Sequence, residues 1–296
     1  TMIPFYIYYS KFGFQRVGDL AWAAGDMQAK GFLLGGTAGR TTLAGEGLQH
    51  QDGDSLIIAN TIPNCISYDP TYAYELAVIL CDGMHRMYEK MENVFYYITL
   101  MNEAYTHPAM PEGVEDGIIK GMYPLKVVGK GENEIQLLGS GAILREVEKA
   151  AEILDKGWSV KSFIWSVPSF NELTREAQKV DRDNRFTIDG AQQVPYVTQC
   201  LEGAKGPVIA ATDYIRNYAE QIRKYVPARY EVLGTDGFGR SDSRSELRVF
   251  FEVNANYIAF AALKALVDEG SLEGKILTDA VTQLGIDANK PNPMYS

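Results

Sequence analysis

Short apolar runs alternate along the chain with longer amphipathic stretches, a pattern that predicts strands separated by helices. Ile3-Pro-Phe-Tyr-Ile-Tyr-Tyr9 reads as a buried strand. Phe12 to Lys30 then carries Phe14, Val17, Ala21, Ala24 and Gly25 close to an i, i+3, i+4 stripe, which predicts a helix stopped by Gly31. Phe32-Leu33-Leu34 is a short strand that runs into a glycine-dense loop. Cys65 to Tyr68 is another, stopped by Asp69-Pro70. Thr71 to Glu89 places Tyr72, Leu76, Ile79, Leu80 and Met84 in helical rhythm, with Asp69 or Thr71 available as cap. Val94 to Leu100 is a β-branched and aromatic strand.

Between Thr106 and Gly121 the pattern breaks at His107-Pro108-Ala-Met-Pro111-Glu112-Gly113, the composition of a linker or crossing loop. A division into residues 1–110 and 111–296 follows. The second series begins with a strand at Glu134 to Leu138, a turn at Gly139-Ser-Gly141, and a helix from Ile143 to Lys156 ended by Gly157. A strand over Val160 to Val167 and a polar helix from near Asn171 come next. The strands Pro207 to Ala211 and Tyr230 to Leu233 are joined by the amphipathic segment Tyr218 to Val226. The tail from Ser243 is helical, clearest over Tyr257 to Glu269 with Gly270 as its stop. The predicted class is therefore α/β: two consecutive units with mostly parallel sheets flanked by helices.

Composition narrows the function. With 296 residues, 46% hydrophobic and 22% charged, the chain is long enough for a large core and has an ordinary globular balance. A net charge of −10 argues against a nucleic-acid partner, because phosphate binding rests on clustered Lys and Arg. No charged n-region followed by an apolar h-region opens the chain, and no apolar run reaches the ~18–20 residues of a membrane span. A soluble, cytoplasmic protein with no membrane partner is expected. Cys65, Cys81 and Cys200 form no C-x-x-C pair, which suits reduced thiols, and Cys81 reads as core packing. A strand starting with the first residues leads us to expect a piece of a longer protein.

The candidate chemistry concentrates in Gly35-Gly36-Thr-Ala-Gly39-Arg40-Thr-Thr-Leu-Ala-Gly45-Glu46-Gly47-Leu-Gln49-His50-Gln51-Asp52-Gly53-Asp54, a glycine loop between apolar segments. His50 stands there among Glu46, Asp52 and Asp54, a setting that suits either proton transfer or a hydrogen-bonded structural histidine. His85 reads as a solvated helix residue and His107 as a linker residue. Gly139-Ser-Gly141 invites comparison with a dinucleotide turn, but Leu144 stands where the third glycine belongs, so a tight βα turn is the simpler reading. Gly234-Thr-Asp236-Gly237-Phe-Gly239-Arg240-Ser241-Asp242-Ser243 reads as a structural turn before a helix capped by Ser241 or Asp242, the alternative being an Asp-Gly pair that helps hold a metal bound to phosphate. The aromatic residues from Phe5 to Phe14 read as core, with one or two rings at the strand end free to stack on a flat heterocycle and Arg16 available to a carboxylate or phosphate.

Four strings carry a resemblance. They are Met2-Ile-Pro-Phe-Tyr-Ile-Tyr-Tyr-Ser-Lys-Phe-Gly-Phe-Gln-Arg16-Val-Gly-Asp19, Gly36-Thr-Ala-Gly-Arg-Thr-Thr-Leu-Ala-Gly-Glu-Gly-Leu-Gln-His50, Ile66-Ser-Tyr-Asp-Pro70 and Gly234-Thr-Asp-Gly-Phe-Gly-Arg-Ser-Asp-Ser243. Together they closely resemble the homodimeric, bacterial-type pyruvate dehydrogenases, thiamine-diphosphate-dependent members of the transketolase superfamily. The resemblance implies the later part of a pyrimidine-binding domain followed by a transketolase C-terminal-type domain. The diphosphate and magnesium ligands, and the glutamate that bonds the aminopyrimidine ring, would then lie upstream. It implies decarboxylation of pyruvate on thiamine diphosphate, acetyl transfer to the lipoyl group of a dihydrolipoyl acetyltransferase component, and a homodimer partner subunit.

Within that family pattern Phe12 matches the ring that stacks on the aminopyrimidine, with Tyr9 beside it, and His50 matches the histidine of the glycine loop. The implied role of His50 is to donate a proton or hydrogen bond to the reacting oxygen, or a proton to the departing lipoyl thiolate. Without the rest of its polypeptide the chain is expected to be inactive. A non-catalytic dimerisation or docking module, or a dehydrogenase of another 2-oxo acid, is the alternative. The chain departs from the pattern after this histidine: the family commonly reads Glu-Asp-Gly-His-Ser where the chain has Gln51-Asp52-Gly53-Asp54-Ser55, so Gln51 replaces a glutamate and Asp54 replaces a second histidine.

Overall fold

The computed structural model of the chain describes residues 2–296. The first sheet contains β1 (Phe5–Tyr9), β2 (Phe32–Gly36), β3 (Cys65–Tyr68) and β4 (Phe95–Leu100) in the order β1-β2-β4-β3, every pair parallel. Its crossovers contain α1 (Ser10–Asp26), α2 (Ser55–Asn60) and α3 (Ala73–Met84), the last running on through a wider turn, His85–Glu89. After the short α4 (Glu115–Lys120) comes the second sheet. It contains β5 (Tyr123–Val128), β6 (Glu134–Gly139), β7 (Lys161–Ser166), β8 (Val208–Ala211) and β9 (Tyr230–Leu233) in the order β5-β7-β6-β8-β9. All its pairs are parallel except β5 with β7. Around it pack α5 (Leu144–Trp158), α6 (Phe170–Phe186), α7 (Tyr196–Leu201), α8 (Asn217–Glu220), α9 (Arg244–Phe250), α10 (Ala255–Asp268) and α11 (Ile276–Gln283). The architecture is the predicted α/β class with two mostly parallel sheets.

Several details differ from the sequence reading. Phe5, Tyr6, Ile7 and Tyr9 are exposed rather than core, because β1, beside β2, forms the edge of its sheet among the described residues; Phe14, one turn into α1, is buried. Cys81 is exposed: the buried stripe of α3 runs through Glu75, Ile79 and Gly83, four residues apart, and turns Cys81 outward. Neither Asp69 nor Thr71 caps α3. The Glu75 carboxylate instead accepts the amides of Thr71 (2.5 Å) and Tyr72 (2.9 Å). Gly157 does not end α5, which stops one residue later with Ser159 in the left-handed region at φ 52°. Likewise α1 stops at Asp26, before Gly31. Ser243, not Ser241 or Asp242, caps α9 by accepting the Glu246 amide at 3.3 Å.

Part of the expected linker is α4, and the antiparallel β5 was hidden because Pro124 and Lys126 break its apolar alternation. The stretch Arg244–Asp268 is long and apolar enough to cross a membrane by length and composition. Its apolarity has another cause, since Leu247, Ile258, Leu263 and Leu266 lie in the same core as Leu137 and Val147.

The carboxyl ends of the two sheets face each other. Asp69, just after β3, donates its amide to Pro168 after β7 (2.7 Å), and its carbonyl accepts the Gly141 amide after β6 (3.2 Å). The Arg40 amide, in the loop after β2, donates to the Asp213 carbonyl after β8 (3.3 Å). A continuous core crosses this junction, joining Phe14, Leu56 and Tyr97 to Phe170, Leu173 and Tyr218.

Two glycines of the loop after β2 test how tightly the junction is packed. Both have positive φ, 86° at Gly39 and 71° at Gly45. An added Cβ at Gly39 would stand 2.1 Å from Asp213 Oδ2, whereas one at Gly45 would meet nothing within 4 Å. Gly45→Ala therefore carries backbone strain alone, about 1–2 kcal/mol, and Gly39→Ala adds overpacking for a total of about 2–5 kcal/mol. Urea unfolding of the two variants is expected to give that order; equal losses would mean that Asp213 yields freely.

Candidate active site

The glycine loop belongs to the first sheet but is held largely by the second unit. Asp213 accepts the Thr41 amide (3.2 and 3.1 Å to its two oxygens) and the Thr41 hydroxyl (2.7 Å). The Arg248 guanidinium bonds Thr41 Oγ1 at 3.2 Å and also Glu103 and Glu146, forming a buried charged cluster with every member partnered. Arg244 donates to the Thr42 carbonyl (2.6 Å), and the Gly45 amide donates to the Asp242 carbonyl (2.9 Å). Farther along, Gln51 Oε1 accepts the Arg240 amide (2.7 Å) and the Ile215 amide donates to Gly53 (2.9 Å). Gly239 is needed here, since a Cβ would come within 2.6 Å of Gln51 Oε1 and 2.8 Å of the Leu48 carbonyl.

This clamp fixes a single helical turn, Leu48–His50, closed by the His50 amide on the Gly47 carbonyl at 2.9 Å. The His50 ring projects from it onto the carboxyl end of β1 and the first turn of α1. Its centroid lies 5.2 Å from that of Tyr9 and 5.1 Å from that of Phe12, the latter edge-on at 86°. His50 Nδ1 is 3.0 Å from Glu46 Oε2. An ionised carboxylate only accepts, so Nδ1 carries the hydrogen and Nε2 is left to exchange a proton. The three residues singled out in the sequence thus converge on one corner, with Tyr9 51% exposed and the His50 side chain 24% exposed. Arg16 is beside them, but its guanidinium sits 4.2 Å above the Phe12 ring as a cation–π contact and covers one face of it.

Two family models cover most of the chain: the pyruvate dehydrogenase E1 component middle domain matches residues 1–108, and the transketolase-like TK C-terminal domain matches residues 121–254. The pyruvate dehydrogenase E1 components of Pseudomonas aeruginosa and Escherichia coli (strain K12) are each 59% identical, over 295 and 294 residues, 99% of this chain and 33% of the relative. The chain belongs to the pyruvate dehydrogenase E1 component family. It spans about a third of the length of those relatives. Among solved structures, transketolase from Leishmania mexicana superposes with a TM-score of 0.66 at 16% identity, covering 89% of this chain and 34% of that one, a likeness of fold.

Other candidates are not brought to the corner. In this E1-family chain His107 accepts the Ala73 amide (3.0 Å) at the start of α3 and stacks on Tyr105 (4.8 Å), while His85 pairs with Glu89 at 2.9 Å. Asp236 accepts the Arg216 amide at 2.9 Å and its guanidinium, as a structural turn residue does. Gly141 turns its amide onto Asp69, leaving the Gly139-Ser-Gly141 turn filled by the first unit. Sequence reasoning missed Asp213 and Arg248, whose spacing from His50 carries no signal, and quoted Gln51 beside His50 without its bond to the Arg240 amide. Thiamine diphosphate fits the corner in one respect: the half-buried Phe12 and the exposed Tyr9 offer aromatic surface to a flat ring. Among the described residues no group of three or more His, Cys, Asp or Glu is placed to hold a metal ion, so no magnesium ligand is assigned in this chain.

The junction behind the site is rich in buried carboxyls. Burial pushes Asp69 up to about 7, although the Thr99 hydroxyl donates to it at 2.7 Å; its Oδ2 has no hydrogen-bond partner among the described residues. Burial raises Asp213 to about 6 against the pull of Arg248, and raises Glu75 and Asp52 as well. A carboxyl whose folded pKa exceeds its unfolded value binds its proton more tightly when folded. The resulting stabilisation is full below the unfolded value near 3.8 and is lost as pH rises through the folded value. Stability to urea is therefore expected to fall from pH 4 to pH 7. Asp69→Asn, which keeps an acceptor for Thr99 and never ionises, is expected to flatten that slope. An unchanged slope in the variant would show that Asp69 binds its proton equally in the folded and unfolded chain.

Proposed function

We propose that this chain supplies the histidine-bearing wall of a thiamine-diphosphate-dependent pyruvate dehydrogenase (acetyl-transferring). The observation that carries the reading is the convergence of His50, Phe12 and Tyr9 on one exposed corner, in a chain whose first 108 residues match an E1 middle domain. Thiamine diphosphate, when bound, supplies the electron sink for loss of carbon dioxide from a 2-oxo acid. Phe12 and Tyr9 give an apolar surface for its pyrimidine ring. His50, with Nδ1 held by Glu46, presents Nε2 to hold a proton and deliver it to the reacting oxygen or to the thiolate leaving the lipoyl group. Arg16, whose guanidinium lies 4.2 Å from the Phe12 ring centroid, helps hold that ring, and its N–H donors serve a carboxylate or phosphate of the bound groups.

The diphosphate and magnesium ligands are assigned to the rest of the polypeptide, outside these 296 residues. Pyruvate as substrate, a homodimer, the dihydrolipoyl acetyltransferase component as partner and a cytoplasmic location belong to the same proposal. In the full-length protein carrying this chain, His50→Ala is expected to lower kcat for lipoyl acetylation about 10²–10⁴-fold, the usual contribution of a general acid. KM for pyruvate should change little. Full kcat in that variant would overturn the assignment. The 296-residue chain alone, given thiamine diphosphate, magnesium and pyruvate, is expected to release no carbon dioxide.

A further inference from the structure

We propose that the Lys11–Asp54 ion pair is a positioning latch that ties the first turn of α1, which carries Phe12, to the loop that carries His50, and so sets the contact between those two rings. Its catalytic consequence rests on the reading of His50 as the proton donor. Lys11 Nζ lies 3.1 and 3.3 Å from the two carboxylate oxygens of Asp54. The two side chains are 17% and 31% exposed, so solvent and salt screen the pair less than an open surface pair.

The local hydrogen bonding leaves Asp54 free for this task. Asp54 occupies the position before α2 where an aspartate ordinarily accepts amides of its own helix, yet its side chain caps nothing. Asp52 does that work, accepting the amides of Asp54 (3.2 Å) and Ser55 (3.0 Å). The Asp54 carboxylate reaches instead across to α1.

The remaining charges fix the other side of the same stretch. The Arg40 guanidinium packs against Gly53, where an added Cβ would stand 2.1 Å from its Nε, and it donates to the Gly237 carbonyl of the second unit. It also feels the negative charges of Asp54, Asp52 and Asp213. The loop is thus bonded to the second unit through Gln51, Gly53 and Arg40, and to α1 through Asp54. Ring contacts between His50, Phe12 and Tyr9 are soft in distance and angle. The ion pair adds a directional tie one residue before Phe12 and four after His50.

Three variants test the latch. Lys11→Met keeps most of the apolar stem and removes the charge, Asp54→Asn keeps size, and Lys11→Asp combined with Asp54→Lys reverses the pair. Histidine-selective NMR of the chain reads the outcome directly, with His85 and His107, bonded elsewhere, as internal references. In both single variants the His50 ring resonances are expected to move toward random-coil positions as the ring-current shifts of Phe12 and Tyr9 are lost, and the reversed pair is expected to return them. In the full-length protein kcat/KM for lipoyl acetylation should fall about two- to fivefold in the single variants, mainly through kcat, and recover in the reversed pair. Unmoved His50 resonances in both single variants, or a reversed pair as displaced as they are, would overturn the latch. Resonances that move while turnover holds would leave the latch standing and remove His50 from proton transfer.

Discussion

The structure depends on burying the carboxyl ends of two parallel sheets against each other. Such ends are where loops, helix starts and ligand crevices collect, so joining them takes polar groups out of water on both sides. The buried carboxylates find donors across or beside the junction: Asp213 on Thr41, Glu75 on the Tyr123 and Ser166 hydroxyls (2.6 and 2.5 Å), and Asp69 on Thr99. A buried acceptor left without a donor costs about 1–3 kcal/mol, and Asp213 and one oxygen of Glu75 escape it through donors of the opposite unit, Thr41 for the first and Tyr123 with Ser166 for the second. The polar junction and the shared apolar core around Phe170 and Leu56 therefore act as one constraint.

That arrangement decides where chemistry can occur. The crevice of the second sheet, between β6 and β8, is occupied by residues of the first unit, so the Gly139-Ser-Gly141 turn has no space for a ligand of its own. The available carboxyl ends are those at the margin of the first sheet, β1 and β2, where Tyr9 and the glycine loop emerge. His50 is consequently a residue of the first unit whose backbone is oriented by the second. The dense glycines serve close approach: Gly39 admits Asp213, Gly53 admits Arg40 and Gly239 admits the His50 turn.

The α/β class was legible because most strands are uninterrupted apolar runs with helical periods between them, and the pairing of Phe12 with His50 was legible through long specific strings. Burial was not. The aromatic segment at the start reads as core by composition, yet its strand lies at a sheet edge, and edge position is a property of topology rather than of local sequence. Cys81 was misplaced because α3 packs along a stripe that includes a buried glutamate, which a hydrophobic pattern cannot reveal. The clamp was invisible for a different reason. Thr41 and Asp213 are 172 residues apart, and nothing in either segment announces the other.

The exposure of the corner bears on how it can work. Glu46 is 45% exposed beside His50, and at such a site the attraction between a charge and a developing opposite charge is weakened by water. Electrostatic catalysis draws its strength from preorganised groups in a water-excluded site. The corner has the preorganisation: a stapled turn, a fixed Nδ1 partner and a ring held under Arg16. Exclusion of water is the part these residues do not supply, because Tyr9, Tyr6 and Ile7 leave more than half of their surface open. A second wall that covers Tyr6, Ile7 and Tyr9 would do two things at once. It would bury the apolar edge of β1 and lower the dielectric around His50, so that binding the missing wall and activating the histidine become the same event.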